Sequence, residues 1–152
     1  MGIEMKYWLA GAAVAVFAGA AWTVMAATPQ ETVDQRIAGM KGLGGNLQAA
    51  AKAVTPAEVQ AKLGAAIAFA ETIPTLFPKG TGIGDKGVTK TRALQEIWAK
   101  PAEFKAASDA LVNALKAANA AAGDKAKLDA AFGEVRKSCG GCHTPFRGPE
   151  IE

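Results

Sequence analysis

Along most of this chain apolar residues recur at steps of three and four, the repeat of one helix face. Four such stripes stand out. The first is Val33, Ile37, Met40, Leu43 or Gly44, and Leu47; the second is Val59, Leu63, Ala66, Ile67, Ala70 and Ile73. Phe104, Ala107, Leu111, Leu115 and Ala118 form the third, and Leu128, Phe132, Val135, Cys139, Cys142 and Phe146 the fourth. The first two helices carry the same start signal, Thr28-Pro29-Gln30-Glu31 and Thr55-Pro56-Ala57-Glu58. In each, threonine is the N-cap, proline takes the first helical position and glutamate closes a capping box. Pro74 is expected to stop the second helix, Gly123 the third, which runs from about Pro101 to Ala122, and Asp124 to cap the fourth. Between Pro74 and about Lys90 there is no periodicity, but Pro78, Gly80, Gly82, Gly84 and Gly87. A short helical piece is expected from Leu94 to Trp98. Short links flanking one long link predict an all-α, antiparallel four-helix bundle, with the long loop between helices two and three.

The first 26 residues break this pattern. Lys6 precedes an uncharged run from Tyr7 to Ala27, and Val24-Met25-Ala26 offers small residues at the −3 and −1 positions. That is the form of a secretory signal peptide. The run is also long enough to span a bilayer, with Trp8 and Trp22 near its ends, so an uncleaved anchor is the alternative. The expected division is residues 1–26 as leader and 27–152 as one exported domain, placed in the periplasm or anchored facing it. Cleavage removes Glu4 and Lys6 together, so the net charge of +3 is unchanged.

Composition narrows the reading. Half of the residues are hydrophobic, but many are alanine, which favours helix and makes a thin core. The lysines are spread along the chain and read as solvated helix faces, with no dense basic stripe for nucleic acid.

The most specific feature is Cys139-Gly140-Gly141-Cys142-His143. Cys-x-x-Cys-His is the attachment pattern of a c-type haem: two thiols add to the porphyrin's vinyl groups and the histidine ligates iron. On a helix the three side chains share one face, so all reach one ring. Three other readings compete. A thioredoxin-like redox pair belongs to a βαβ setting, which the pattern lacks. A zinc site needs about four N or S ligands, and this chain has two cysteines and one histidine. A structural disulfide leaves His143 without a role. One thioether-linked haem c per chain, inside the bundle, would also supply the apolar mass that alanine does not.

A leader, four helices and Cys-x-x-Cys-His near the C-terminus resemble cytochrome c′ and its low-spin class II relatives. The matching segments are Arg36-Ile-Ala-Gly-Met40, Leu76-Phe77-Pro78, Ile97-Trp98 and Arg136-Lys-Ser-Cys-Gly-Gly-Cys-His-Thr-Pro-Phe-Arg147. The resemblance implies that Met40 faces the distal side of the haem, that Arg36 lies near a propionate and that Arg147 lies beside the proximal ligand. Pro145 departs from the pattern and is expected to kink the helix at the haem.

The axial ligands decide the chemistry. With His143 as the only histidine, bis-histidine ligation within one chain is excluded, and Met40 is the only methionine after the leader. The segment from Met40 to Asn46 looks like the low-spin members, and its glycines would let the helix approach the ring. The resulting expectation is His143/Met40 ligation in a carrier of single electrons between periplasmic redox proteins. The alternative is a five-coordinate, high-spin protein that binds nitric oxide or carbon monoxide. An enzyme is not expected, since Ser138 has no base beside it other than His143. Relatives of both kinds imply a monomer or a homodimer.

Overall fold

The computed structural model describes residues 27–150, so the expected leader lies outside the described residues. Four long helices carry the fold: α1 (Pro29–Lys52), α2 (Pro56–Thr72), α4 (Pro101–Ala120) and α5 (Lys125–Phe146), with a single turn, α3 (Glu96–Ala99), before α4. Both capping boxes form as expected. Thr28 and Thr55 accept from the amides of Glu31 and Glu58, whose carboxylates accept from the cap amides in return. Asp124 caps α5 through the amide of Lys127.

Three local details fill out these expectations. The second α-helix ends just before Pro74, as expected. α2 stops at Thr72 and passes into a 3-10 turn, Ile73–Leu76, whose second residue is Pro74. The proline is tolerated there because its missing amide falls where a new helical turn begins. α4 ends at Ala120, and Gly123 sits in the following turn outside the left-handed region. Pro145, where a kink is expected, lies inside α5, which continues to Phe146, with the Arg147 amide donating to the His143 carbonyl at 3.0 Å. The bond lost to Pro145 would have ended on the carbonyl of Gly141, an exposed residue in a last turn where water replaces the donor.

The core is thin, as the alanine content implied. α1 packs on α2, α2 on α4 and α4 on α5, through Leu63, Ala66, Ala70, Leu111, Leu115 and Ala118, all buried. Gly39 lets α2 come close. A Cβ at that position would lie 1.9 Å from Cε2 of Phe69. The fourth interface is missing: α1 and α5 do not pack on each other. The irregular segment after Leu76, with Gly80, Gly84 and Gly87 at positive φ, folds back over this gap. Gly82 lies against Trp98, whose indole Nε1–H donates to the Phe77 carbonyl at 2.9 Å.

Candidate cofactor site

Between α1 and α5 lies a cavity of about 950 Å³, at the upper end of the size of small-molecule and cofactor sites. All six residues singled out in the sequence line it: Arg36 and Met40 from α1, Cys139, Cys142 and His143 from α5, and Arg147 just beyond. Spacing alone put the α5 residues on one wall. Bringing α1 opposite them required the bundle. Ile37, Leu43, Ile73, Ile97, Phe104 and Leu111 complete an apolar lining. Gly42, Gly44 and Gly45, expected to let α1 approach a ring, do not line the cavity.

The state of the thiols bears on the competing readings. Cys139 and Cys142 form no disulfide. Burial pushes both thiols up, and at Cys142 the neighbouring Cys139 adds to it. They are thus the opposite of the low-pKa thiolates of a redox pair. No group of three or more His, Cys, Asp and Glu side chains among the described residues is disposed to hold a metal ion by itself. Partial burial holds the His143 imidazole below its ordinary range, and the positive charges of Arg147 and then Arg92 add to this. A neutral imidazole is the form that ligates iron.

Among the described residues Arg36 is the one buried charge, with 4 % of its surface exposed. Nη1 donates to the Leu76 carbonyl (3.3 Å) and Thr81 Oγ1 (2.8 Å), and Nη2 to the Thr81 carbonyl and Thr91 Oγ1. Its guanidinium lies 4.5 Å from the centre of the Phe77 ring, a cation–π distance. Every one of these partners is neutral, so burial is uncompensated and lowers its pKa to about 10. Phe77, Phe104 and Phe146 form an edge-to-face series, with centroids 4.9 and 5.3 Å apart, along the same cavity. Thr81, Thr91 and Arg92 were not anticipated. They lie in the aperiodic segment, where nothing in the spacing marks one polar residue over the next.

The donor set fits a c-type haem. Two thiols and an imidazole stand on one face of one helix, much of the remaining wall is apolar, and Arg36, Arg92 and Arg147 line the cavity as cations of the charge that a porphyrin's carboxylates would need. Comparisons with known proteins agree. Residues 31–147 match the family described as Cytochrome C'. The chain is 35 % identical over 128 residues to cytochrome c' of Pararhodospirillum photometricum, covering 80 % of this chain and 99 % of that one. It is 38 % identical over 108 residues to cytochrome c-554 of Cereibacter sphaeroides, covering 68 % and 69 %. Among solved structures, cytochrome c' from Thermochromatium tepidum superposes with a TM-score of 0.70 at 26 % identity, covering 82 % of this chain and all of that one. A nitric oxide complex of a cytochrome c prime variant from Alcaligenes xylosoxidans superposes with a TM-score of 0.69 at 27 % identity, covering 81 % and 98 %. The match spanning α1 to the end of α5, together with the thiol pair and histidine on one cavity wall, makes this chain a member of the cytochrome c′ family, carrying the covalently attached haem c of that family.

Proposed function

We propose that this protein is a periplasmic haem protein that binds a diatomic gas, nitric oxide or carbon monoxide, in the cavity between α1 and α5. The observation that carries the reading is the missing α1–α5 interface, which leaves an apolar chamber walled by Ile37, Met40 and Leu43 facing the thiol–imidazole helix. When bound, haem c would supply one-electron chemistry and an iron able to take a diatomic ligand. Cys139 and Cys142 would hold the ring, and His143 would ligate its iron. Arg36 and Arg147 serve as binding cations for its carboxylate edge. Ile37, Met40 and Leu43 keep water from the opposite side and select for small uncharged ligands. The cytochrome c′ relatives, one of them solved with nitric oxide, support this reading over the methionine-ligated carrier first expected from the run after Met40. The leader expected at residues 1–26 supports the location. Among the described residues no helix is long and apolar enough to cross a membrane. One relative is described as undergoing ligand-controlled dimer dissociation, which supports testing for a homodimer here.

The carrier reading keeps one observation of its own: Met40, with a thioether suited to ferrous iron, lines the cavity on the helix facing α5. Carbon monoxide titration of the reduced protein separates the two. Direct uptake by the wild-type protein, with a high-spin spectrum when oxidised, is expected. Low-spin spectra in both states, with uptake appearing only in Met40→Ala, would establish Met40 as a ligand and overturn the gas-binding reading.

A further inference from the structure

The C-terminal end of α5 does not hang free after the ligating histidine. It is strapped to the segment Thr91–Leu94 by a short antiparallel pairing of Ala93 with Arg147. The Gly148 amide donates to the Arg92 carbonyl at 2.7 Å, and the Leu94 amide to the Phe146 carbonyl at 3.1 Å. The side chain of Arg92 closes the strap, its Nε–H donating to the Gly148 carbonyl at 2.9 Å. Arg147, between these contacts, donates its amide to the carbonyl of His143. The strap's other end is fixed in the core. Thr91 Oγ1 accepts from Arg36 and donates to the Thr81 carbonyl at 3.0 Å, and the Ile83 amide donates to the Ala93 carbonyl at 2.9 Å. Gly148 is buried, and a Cβ there would lie 2.7 Å from Ile83 Cδ1 and 3.2 Å from Leu94 Cδ2. The last turn of α5, already short of a hydrogen bond at Pro145, is therefore held from outside the helix.

We propose that Arg92 is a positioning residue for His143. Through its paired contacts with Gly148 it fixes the turn whose carbonyl bond orients the histidine. The strap also links that turn to Arg36 on α1, so both walls of the cavity are referenced to one four-residue segment. The role calls for arginine's geometry as well as its charge, because the bond to Gly148 comes from Nε, an atom with no counterpart in lysine. This inference rests on His143 being the axial ligand. Its amide-exchange arm does not, and gas uptake by the wild-type protein tests the function separately.

The test uses haem-loaded Arg92→Gln, Arg92→Lys and, as a charge control, Arg136→Gln, an exposed arginine on α5 outside the strap. Hydrogen exchange at the Arg147 and Gly148 amides is measured against that of amides in α2, with the optical spectrum of the oxidised protein. Both Arg92 variants are expected to speed exchange at the two amides about tenfold or more, as loss of a charged hydrogen bond implies, and both to shift the spectrum. Arg136→Gln should do neither. If Arg92→Lys matches the wild type, the residue acts as a bare charge and the proposal fails. It fails also if neither variant changes exchange or spectrum. Should Arg92→Gln not fold, Gly148→Ala serves instead, since it keeps the charge while forcing Ile83 and Leu94 away. A wild-type spectrum in that variant, with exchange accelerated, would show that the strap holds the chain end without orienting His143, and would overturn the inference.

Discussion

Gly39→Ala and Gly42→Ala make the same chemical change three residues apart on α1 and should have opposite signs. In a helix interior glycine is worse than alanine by about 0.8–1.0 kcal/mol. At Gly42 nothing lies within 4 Å of the new Cβ and the residue is exposed, so the full gain should appear. At Gly39 the Cβ would meet three atoms of the Phe69 ring at 1.9, 2.4 and 2.8 Å. The ring edge must withdraw by more than an atom's radius, and Phe69 is packed against the core cluster, so it cannot simply swing into solvent. Overpacking of this kind costs about 1–3 kcal/mol. Subtracting the propensity gain leaves a net destabilisation of about 1 kcal/mol, with a separation of about 2 kcal/mol between the variants. Thermal unfolding of the haem-loaded protein reads this as several degrees, up for Gly42→Ala and down for Gly39→Ala.

The substitution also reports on the site, since Gly39 precedes Met40. Pushing α1 off α2 moves the cavity wall, so Gly39→Ala should alter the oxidised spectrum or the carbon monoxide affinity, and Gly42→Ala should leave both unchanged. Equal stabilisation by the two variants would refute the claim that Phe69 is seated against the α1 backbone. A destabilised Gly39→Ala with wild-type ligand affinity would refute the claim that the seating sets the cavity.

Three further outcomes are expected. In the Cys139→Ala/Cys142→Ala double variant, haem should no longer migrate with the chain on a denaturing gel, whereas wild-type protein should keep it; retention by the variant would sink the attachment. Glu31 and Glu58 both have lowered pKa values, each held by the threonine and backbone donors of its capping box. A lowered folded pKa means stability that is present above the ordinary carboxylate range and lost as pH falls through it, so Glu31→Gln/Glu58→Gln should flatten the melting temperature profile between about pH 7 and about pH 3; an unchanged acid slope would remove the caps from the account. Without haem the chain should be molten, with helical circular dichroism but a dye-binding surface, and a cooperative melt near that of the loaded protein would contradict a haem-centred core.

How much was legible beforehand follows from the physics of each element. The capping boxes of α1, α2 and the stripe that carries the thiols are local, set by residues within a turn of one another, and they form as spelled. The two prolines cost their helices little. Pro74 and Pro145 each remove one donor, but both sit where a helix is ending or changing type, so the loss is small. The loop was visible only as a lack of period. Its work is done by Thr81, Thr91 and Arg92 through contacts with partners ten to more than fifty residues away, and no local pattern encodes such pairings. The buried state of Arg36 was likewise hidden, because a charged residue on a helix reads as solvated until a segment forty residues on supplies acceptors.

The missing α1–α5 interface joins these threads. A bundle of alanine-rich helices gains little from each contact, and this one forgoes a quarter of its perimeter to keep a cavity open. The fold therefore depends on what lies between α1 and α5 and on the segment that closes the gap. Attachment through Cys139 and Cys142 would make the filling permanent, so that the fold would not rest on reversible binding of its cofactor. The strap at Thr91–Leu94 joins the two separated walls through Arg36 and Gly148, where direct helix packing does not. A core built this way keeps a cavity open against the helix that carries the thiols and His143, and that cavity is the space the proposed gas binding would use.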